Sequence, residues 1–226
     1  MEGEVVNHIV DIAVIGGGPA GTSAAITAAQ FGFKVVLLEA GSFPRHKVCG
    51  EFVSGEALPL LAQLLRTCDI VAGAPRISNA RIFLDDRLLE LAVRPAAASI
   101  SRHDLDDALW KAAVGSGVVT RDRSRVKQVR STAASFVIIL EREDLLARSV
   151  INASGRWSNL RMHKPDNDEQ WIGLKGHFME GRPSSSCDLY FFDGGYCGVQ
   201  PLGHGVVNAA AMVKPELLGA WRRCYL

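Results

Sequence analysis

No apolar run in the 226 residues reaches the ~18 that a bilayer-crossing helix needs, so no transmembrane helix is expected. The start, Met1-Glu2-Gly3-Glu4, is acidic and leads almost at once into a β-like segment, which does not read as a signal peptide. Cysteines at 49, 68, 187, 197 and 224 form no C-x-x-C pair. An odd number at such spacings argues against a disulfide framework and for reduced thiols in a cytoplasmic protein. The 6 histidines show no metal-ligand spacing, so no metal site is expected. Excess charge of one sign is missing too: 25 Lys and Arg stand against 24 Asp and Glu, which removes the field expected of a nucleic-acid binder. Internal repeats and low-complexity tracts are absent, which excludes a solenoid or a long disordered linker. Peripheral membrane contact and oligomeric state are left open.

What is there begins with Asp11-Ile-Ala-Val-Ile-Gly-Gly-Gly-Pro-Ala-Gly21. Residues 8–15 are mostly apolar and β-branched and read as a buried strand. The strand runs straight into Gly16-x-Gly18-x-x-Gly21, then a helix of small residues ending at Gly32, then a second apolar strand, 34–38, with Glu39 at its carboxyl end. Gly16 permits the tight turn, Gly18 lets a pyrophosphate approach the backbone, and Gly21 lets the helix lie close to the sheet. The helix start offers N–H groups and a positive dipole to phosphates, and Glu39 can accept hydrogen bonds from ribose hydroxyls.

Beyond Glu39 lies a loop with three basic side chains, Pro44-Arg-His-Lys-Val-Cys-Gly-Glu51. Residues 56–66 read as a helix with Leu60, Leu61, Leu64 and Leu65 on one face, provided that Pro59 falls in its first turn. Residues 76–97 read as a β-hairpin around Asp85-Asp86-Arg87. Ser101-x-x-Asp104 approximates a capping box for a helix with Leu105, Leu109 and Ala112 on its apolar stripe. Arg102, at the first helical position, can reach an anion bound near the nucleotide turn or lie on a solvated surface. Residues 118–129, 136–141 and 145–152 read as a small antiparallel meander, and the last runs into Ala153-Ser-Gly-Arg-Trp-Ser158. From Trp171 the pattern is β-rich to Val213, and a helix is expected from Pro215 to the end of the chain.

Several of these stretches together resemble the geranylgeranyl reductase family of flavoproteins, within the larger group with the para-hydroxybenzoate hydroxylase fold. They are the Gly16–Gly21 turn with Glu39, Pro44 to Glu51, Ser101-Arg-His-Asp-Leu-Asp106, Asn152-Ala-Ser-Gly155 with Ser158, and Gly194-Gly-Tyr-Cys-Gly-Val-Gln-Pro201. The resemblance implies an α/β fold, a Rossmann-like FAD-binding domain with an interleaved, mainly antiparallel β-sheet substrate domain. Residues 8–75 and 98–160 fall in the first domain, and 76–97 and 161–226 in the second. It implies FAD, with Gly16, Gly18, Ala20, Gly21 and Glu39 at the adenosine half. Cys49 and Gly50 would lie near the flavin ring, and Arg102, Val126 and Gly155 on the cofactor. The expected reaction is reduction of a carbon–carbon double bond of an isoprenoid-like substrate, with NAD(P)H or another reductant as electron source and Cys49 or Tyr196 as candidate proton donor. The alternatives are an FAD monooxygenase or a truncated nucleotide-binding fragment without turnover. Ser154 stands where related hydroxylases carry Asp, which weighs against the monooxygenase, and the Trp-x-Trp-x-Ile-Pro motif of flavin halogenases is absent. The family's later Gly-Asp segment, which serves the flavin and ribitol, has no counterpart here, so weak FAD binding and no turnover by this chain are the expectation.

Overall fold

The computed structural model describes residues 9–66, 69–156, 158–160, 171–181 and 184–218. His8, Cys68, Cys224 and the end of the C-terminal helix expected from Pro215 lie outside them; residues 215–218 are helical. In chain order the elements begin with β1 (Val10–Ile15), α1 (Pro19–Gln30), β2 (Val35–Leu38), β3 (Phe52–Val53) and α2 (Ala57–Leu64). A long hairpin follows, β4 (Arg76–Leu84) and β5 (Arg87–Ser99), then α3 (Arg102–Gly115). Four short strands come next: β6 (Val119–Arg121), β7 (Gln128–Ser131), β8 (Phe136–Ile139) and β9 (Asp144–Asn152). The last four are β10 (Ile172–Met179), β11 (Ser186–Phe192), β12 (Gly195–Gly203) and β13 (Val206–Val213).

The chain folds as two compact units. Among the described residues, 9–45 and 105–160 form the first, and 46–104 with 171–218 the second. Where the sequence puts the boundaries at 75/76 and 97/98, the compact units divide at 45/46 and 104/105. The physical reason is strand pairing: β3 joins β5, with Phe52 opposite Ser99 and Val53 opposite Ala98, so the segment after residue 45 belongs with the hairpin.

The first unit is built on a six-stranded sheet ordered β6-β2-β1-β9-β8-β7. Its centre is parallel: β1 pairs with β2 (Ala13 opposite Val36) and with β9 (Val14 opposite Ile151), and β2 pairs with β6. Parallel strands covered on both faces carry continuous apolar runs, and all four β2 residues are buried. Ala13, Ile15, Val36 and Leu38 pack on Val126, Ile138 and Ala147. Ala25 and Ile26 of α1 are fully buried, where small neighbouring side chains let the helix approach closely. The segment 118–129, read as one strand of a meander, is two strands at opposite ends of the sheet. Only β7, β8 and β9 are antiparallel neighbours, while β6 lies parallel to β2. The charges at Arg121, Asp122 and Arg123 mark the break between them.

The second unit carries a seven-stranded sheet ordered β10-β13-β12-β11-β4-β5-β3. Every pairing is antiparallel except β11 with β4. The expected hairpin is present, with Asp85 turning at φ 52°. The N-terminal cap of α3 forms as expected: the Asp104 N–H donates to Ser101 Oγ at 3.1 Å, while the Asp104 carboxylate accepts the Ser101 hydroxyl at 2.6 Å. Two details differ from the sequence reading. The α3 stripe is Leu105, Leu109 and Ala113, not Ala112, and α2 buries Leu58 and Leu61, followed by Leu65, while Leu60 is 62% exposed. In both cases the i, i+3/i+4 pattern was displaced by one turn or one residue among similar apolar neighbours. No helix among the described residues is long and apolar enough to cross a membrane.

Candidate functional site

In the first unit, β1 delivers its chain into a turn that only glycine can make. Gly16 sits at φ 106°, and a Cβ there would lie 2.4 Å from the Ala153 carbonyl oxygen. A Cβ on Gly21 would lie 1.8 Å from the Gly16 oxygen, so the first turn of α1 rests directly on the strand exit. The helix starts with Gly18 extended and Pro19 at its first position, with no side-chain cap and no acidic residue in the first turn. Its positive end is therefore not compensated from within. Thr22 satisfies its own hydroxyl on the Gly18 carbonyl at 2.9 Å. Ala20 is exposed on this turn.

Glu39 follows β2 and is 7% exposed. Its backbone is fixed at both ends: its N–H donates to Arg121 O at 2.9 Å, and its carbonyl accepts from Ser124 N at 2.7 Å. One carboxylate oxygen, Oε2, accepts the Gly17 N–H at 2.8 Å. The other, Oε1, accepts the Gly41 N–H at 2.8 Å and pairs with Arg45 Nη1 at 2.9 Å. Burial pushes the carboxyl pKa up, but the Arg45 hydrogen bond, the two backbone N–H groups and the Arg45 charge outweigh it, so the net shift is downward. A carboxylate offers about four lone-pair sites. The contacts named here use three, which leaves Oε2 room for one more donor. Arg45 also lies over the Phe43 ring, which packs on Trp110 with centroids 4.8 Å apart.

Gly16, Glu39 and Val126 line one cavity of about 110 Å³ with Arg125, Ser154 and Ser158. Gly155, the next residue, is in the left-handed region at φ 84°. The Asn152 side chain accepts the Ser154 N–H at 3.2 Å and also its hydroxyl, which fixes the turn after β9. Thus the fold brings the glycine turn, Glu39, Val126 and the Ser154–Gly155 turn to one place in this unit. Arg45 and Ser154 were quoted in the sequence motifs, but their parts in this arrangement were not foreseen.

In the second unit, Cys49, Gly50 and Tyr196 line a cavity of about 430 Å³ whose wall is otherwise mostly apolar. Val48, Phe52, Val93, Leu189 and Met212 supply much of that wall. Sheet register explains the grouping: Ala80, Cys187, Leu189, Gly198, Ala210 and Tyr196 occupy cross-strand positions on one sheet face. Segment 49–51 is tied to that face by polar groups. Asn208 Nδ2 donates to Cys49 O at 3.1 Å and Gly50 O at 3.0 Å. Glu51, 2% exposed and at φ 62°, receives the Arg102 backbone N–H at 2.8 Å, Lys175 Nζ, and His177 Nε2 at 2.9 Å. The Glu51 N–H in turn donates to Cys49 Sγ at 3.3 Å. Arg102, the first residue of α3, is thereby placed on Glu51 through its backbone. Sequence reasoning did not find Lys175, His177 or Asn208; nothing local to β10 or β13 marks them. Burial, with the nearby Asp188 charge, pushes the Cys187 thiol up.

A sheet of parallel centre entered through this glycine turn, in a chain that also carries a second, mainly antiparallel sheet built from two separated segments, defines the Rossmann-like fold of FAD-binding flavoproteins. Residues 10–59 match the pyridine nucleotide-disulphide oxidoreductase family. The chain is 26% identical to a menaquinone reductase of Mycolicibacterium smegmatis over 90% of this chain and 54% of that protein. It is 30% identical to an uncharacterized Methanosarcina barkeri protein, over 64% of this chain and 82% of that one. The chain belongs to the same family as that Methanosarcina protein. Among solved structures it is similar to a flavoprotein/dehydrogenase from Cytophaga hutchinsonii (TM-score 0.81, 23% identity, 93% of this chain and 57% of that one). A geranylgeranyl bacteriochlorophyll reductase-like protein from Thermoplasma acidophilum gives a TM-score of 0.74 at 22% identity, over 93% and 58%. A myxobacterial FAD-dependent halogenase gives 0.76 at 24%, over 94% and 55%. The chain spans about half the length of the menaquinone reductases it matches.

Proposed function

We propose that this chain supplies the FAD-binding turn and the substrate sheet of an FAD-dependent oxidoreductase that reduces a carbon–carbon double bond of an apolar, isoprenoid-like substrate. The observation that carries the reading is the apolar 430 Å³ cavity, whose wall includes two proton-bearing side chains, Cys49 and Tyr196. Two reductases among the similar proteins support it, one of them named for a quinone. Flavin-dependent halogenases are similar to the chain in sequence as well as in fold, but their Trp-x-Trp-x-Ile-Pro motif is absent from it.

The residues present fit FAD. The glycine turn is a cradle that a Cβ would fill at Gly16 and Gly21, and the uncapped start of α1 suits phosphates. Glu39 Oε2 has a lone pair for a ribose hydroxyl. Bound FAD would supply the electron pair, as hydride, with NAD(P)H or another donor restoring it. The chain's own residues do the rest. Asn208 and Glu51 fix the backbone of Cys49 and Gly50 at the cavity wall. Val48, Phe52 and Leu189 exclude water from an alkene there. The Cys49 thiol and Tyr196 hydroxyl each carry a proton to the cavity.

The test is anaerobic incubation of the chain, fused to the flavin-side segment of a menaquinone reductase relative, with FAD, dithionite and geranylgeraniol, followed by mass spectrometry. A gain of two hydrogens per reduced double bond is expected. Oxygen-dependent addition of one oxygen atom, with no saturated product under anaerobic conditions, would replace this reading with the monooxygenase.

A further inference from the structure

The four histidines of the described residues, His46, His103, His177 and His204, all line one cavity of about 480 Å³ in the second unit, which the proposed reaction does not use. His46 and His177 also line an adjoining cavity of about 380 Å³, together with Lys47 and Lys175. The His46 ring centroid lies 4.9 Å from that of His103 and 5.6 Å from that of His177. Neither outer ring is free to rotate: His103 Nδ1 is 2.9 Å from Asp104 Oδ1, and His177 Nε2 is 2.9 Å from Glu51 Oε2. An ionised carboxylate only accepts, so each takes one ring N–H and leaves the other ring nitrogen for a ligand.

The ligand class follows from the charges. Among the described residues no group of three or more His, Cys, Asp or Glu is arranged to hold a metal ion. The acids are already engaged: Glu51 by Lys175, His177 and the Arg102 N–H, and Asp104 by Ser101 and His103. Burial raises the Asp104 pKa, but those two hydrogen bonds and the charges of His103 and His46 hold it below the usual range, as expected in a cationic setting. What the groove offers a ligand is a set of five basic side chains from four places in the fold: His46 and Lys47 of the loop, His103 of α3, His177 of β10 and His204 of the turn between β12 and β13, while Lys175 is engaged by Glu51. We propose that it binds a phosphate-bearing anion, at a seat made of residues other than those of the glycine turn.

Calorimetric titration of the 226-residue chain with sodium diphosphate tests this without flavin or turnover, so it stands or falls separately from the reductase reading. A measurable heat of binding is expected at pH 7. The exposed pair His46→Gln/Lys47→Gln should weaken it tenfold or more with an unchanged melting temperature, and Lys111→Gln should leave it unchanged. Saturating FAD should leave diphosphate bound. Displacement of diphosphate by NADPH would identify a nucleotide as the source of the phosphate, and tighter binding of geranyl diphosphate than of diphosphate a lipid-like ester. No heat at pH 7, an unchanged affinity in the His46→Gln/Lys47→Gln pair, the same loss in Lys111→Gln, or competition by FAD would overturn the proposal.

Discussion

Replacing Glu39 by Gln should destabilise the nucleotide turn even with no ligand present. The carboxylate receives two backbone N–H groups and one guanidinium, from Gly17, Gly41 and Arg45. An amide of the same size keeps one acceptor but turns an NH₂ toward at least one of these donors. Arg45 is 22% exposed at its side chain and can return to water, so its pair is discounted. The buried Gly17 N–H cannot. Hydrogen bonds to charged groups contribute ~1.5–3 kcal/mol and do not add simply, which gives about 3 kcal/mol for the substitution. For a chain of this size that is a fall in Tm of roughly 6–12 °C. The sign with pH follows from the lowered pKa. The contribution is full above the ordinary carboxylate value and is lost as pH falls through the lower folded value. The wild-type and Gln curves should therefore lie apart at pH 7 and converge below about pH 4. Thermal melts by circular dichroism at a series of pH values measure this. A Tm difference that is the same at pH 3 and pH 7, or absent at pH 7, would refute the assignment of Glu39 as the buried anchor of the turn.

Gly21→Ala puts a Cβ 1.8 Å from the Gly16 oxygen; insoluble expression or a loss of more than ~3 kcal/mol in urea unfolding is expected, and a near-wild-type midpoint would count against the turn geometry. Ile138→Ala, at a position with no exposure, should cost about 2–5 kcal/mol, read from the same midpoint. Asn208→Ala removes both ties to the Cys49 and Gly50 carbonyls. It should speed the reaction of Cys49 with a thiol reagent severalfold, and an unchanged rate would show that segment 49–51 is held by other groups. FAD at saturation should slow that labelling in the wild-type chain; equal rates with and without FAD would argue against Cys49 lying beside the flavin.

The first turn of the fold was readable because its signals are adjacent in the chain: strand, glycines, small-residue helix, strand and acid each constrain the next. The hairpin 76–97 and the cap at Ser101 were readable for the same reason. The pairing of β6 was not, since Val119 to Arg121 carries no mark that distinguishes a partner in β2 from one in β7. Apolar neighbours on α2 and α3 shifted the buried stripe, because Leu58 to Leu65 offers more than one helical face. The least legible part is the setting of Glu51. The loop that contains it stands out, but Lys175 and His177 are 124 and 126 residues further on, and a lysine and a histidine on alternate positions of a strand signal nothing until β10 is seated. The oxidoreductase reading rested on the loop motif as a resemblance, and the apolar cavity around Cys49 and Tyr196 is the physical support it gains.

The parallel contact between β4 and β11 has a consequence for synthesis on the ribosome. Asn79 of β4 pairs with Ser186 of β11, so the hairpin must wait for more than a hundred residues before its neighbour emerges. Meanwhile β1, β2, β6 and β9 of the other sheet are complete by Asn152. The nascent chain therefore carries an unpaired β4 edge, Asn79 to Leu84, through the whole interval in which the first sheet can assemble. Unpaired edges of this kind are where chains associate wrongly. The slow, error-prone stage in making this protein is expected to be the closure of the second sheet, and a chaperone that shields the hairpin should raise the yield of native chain.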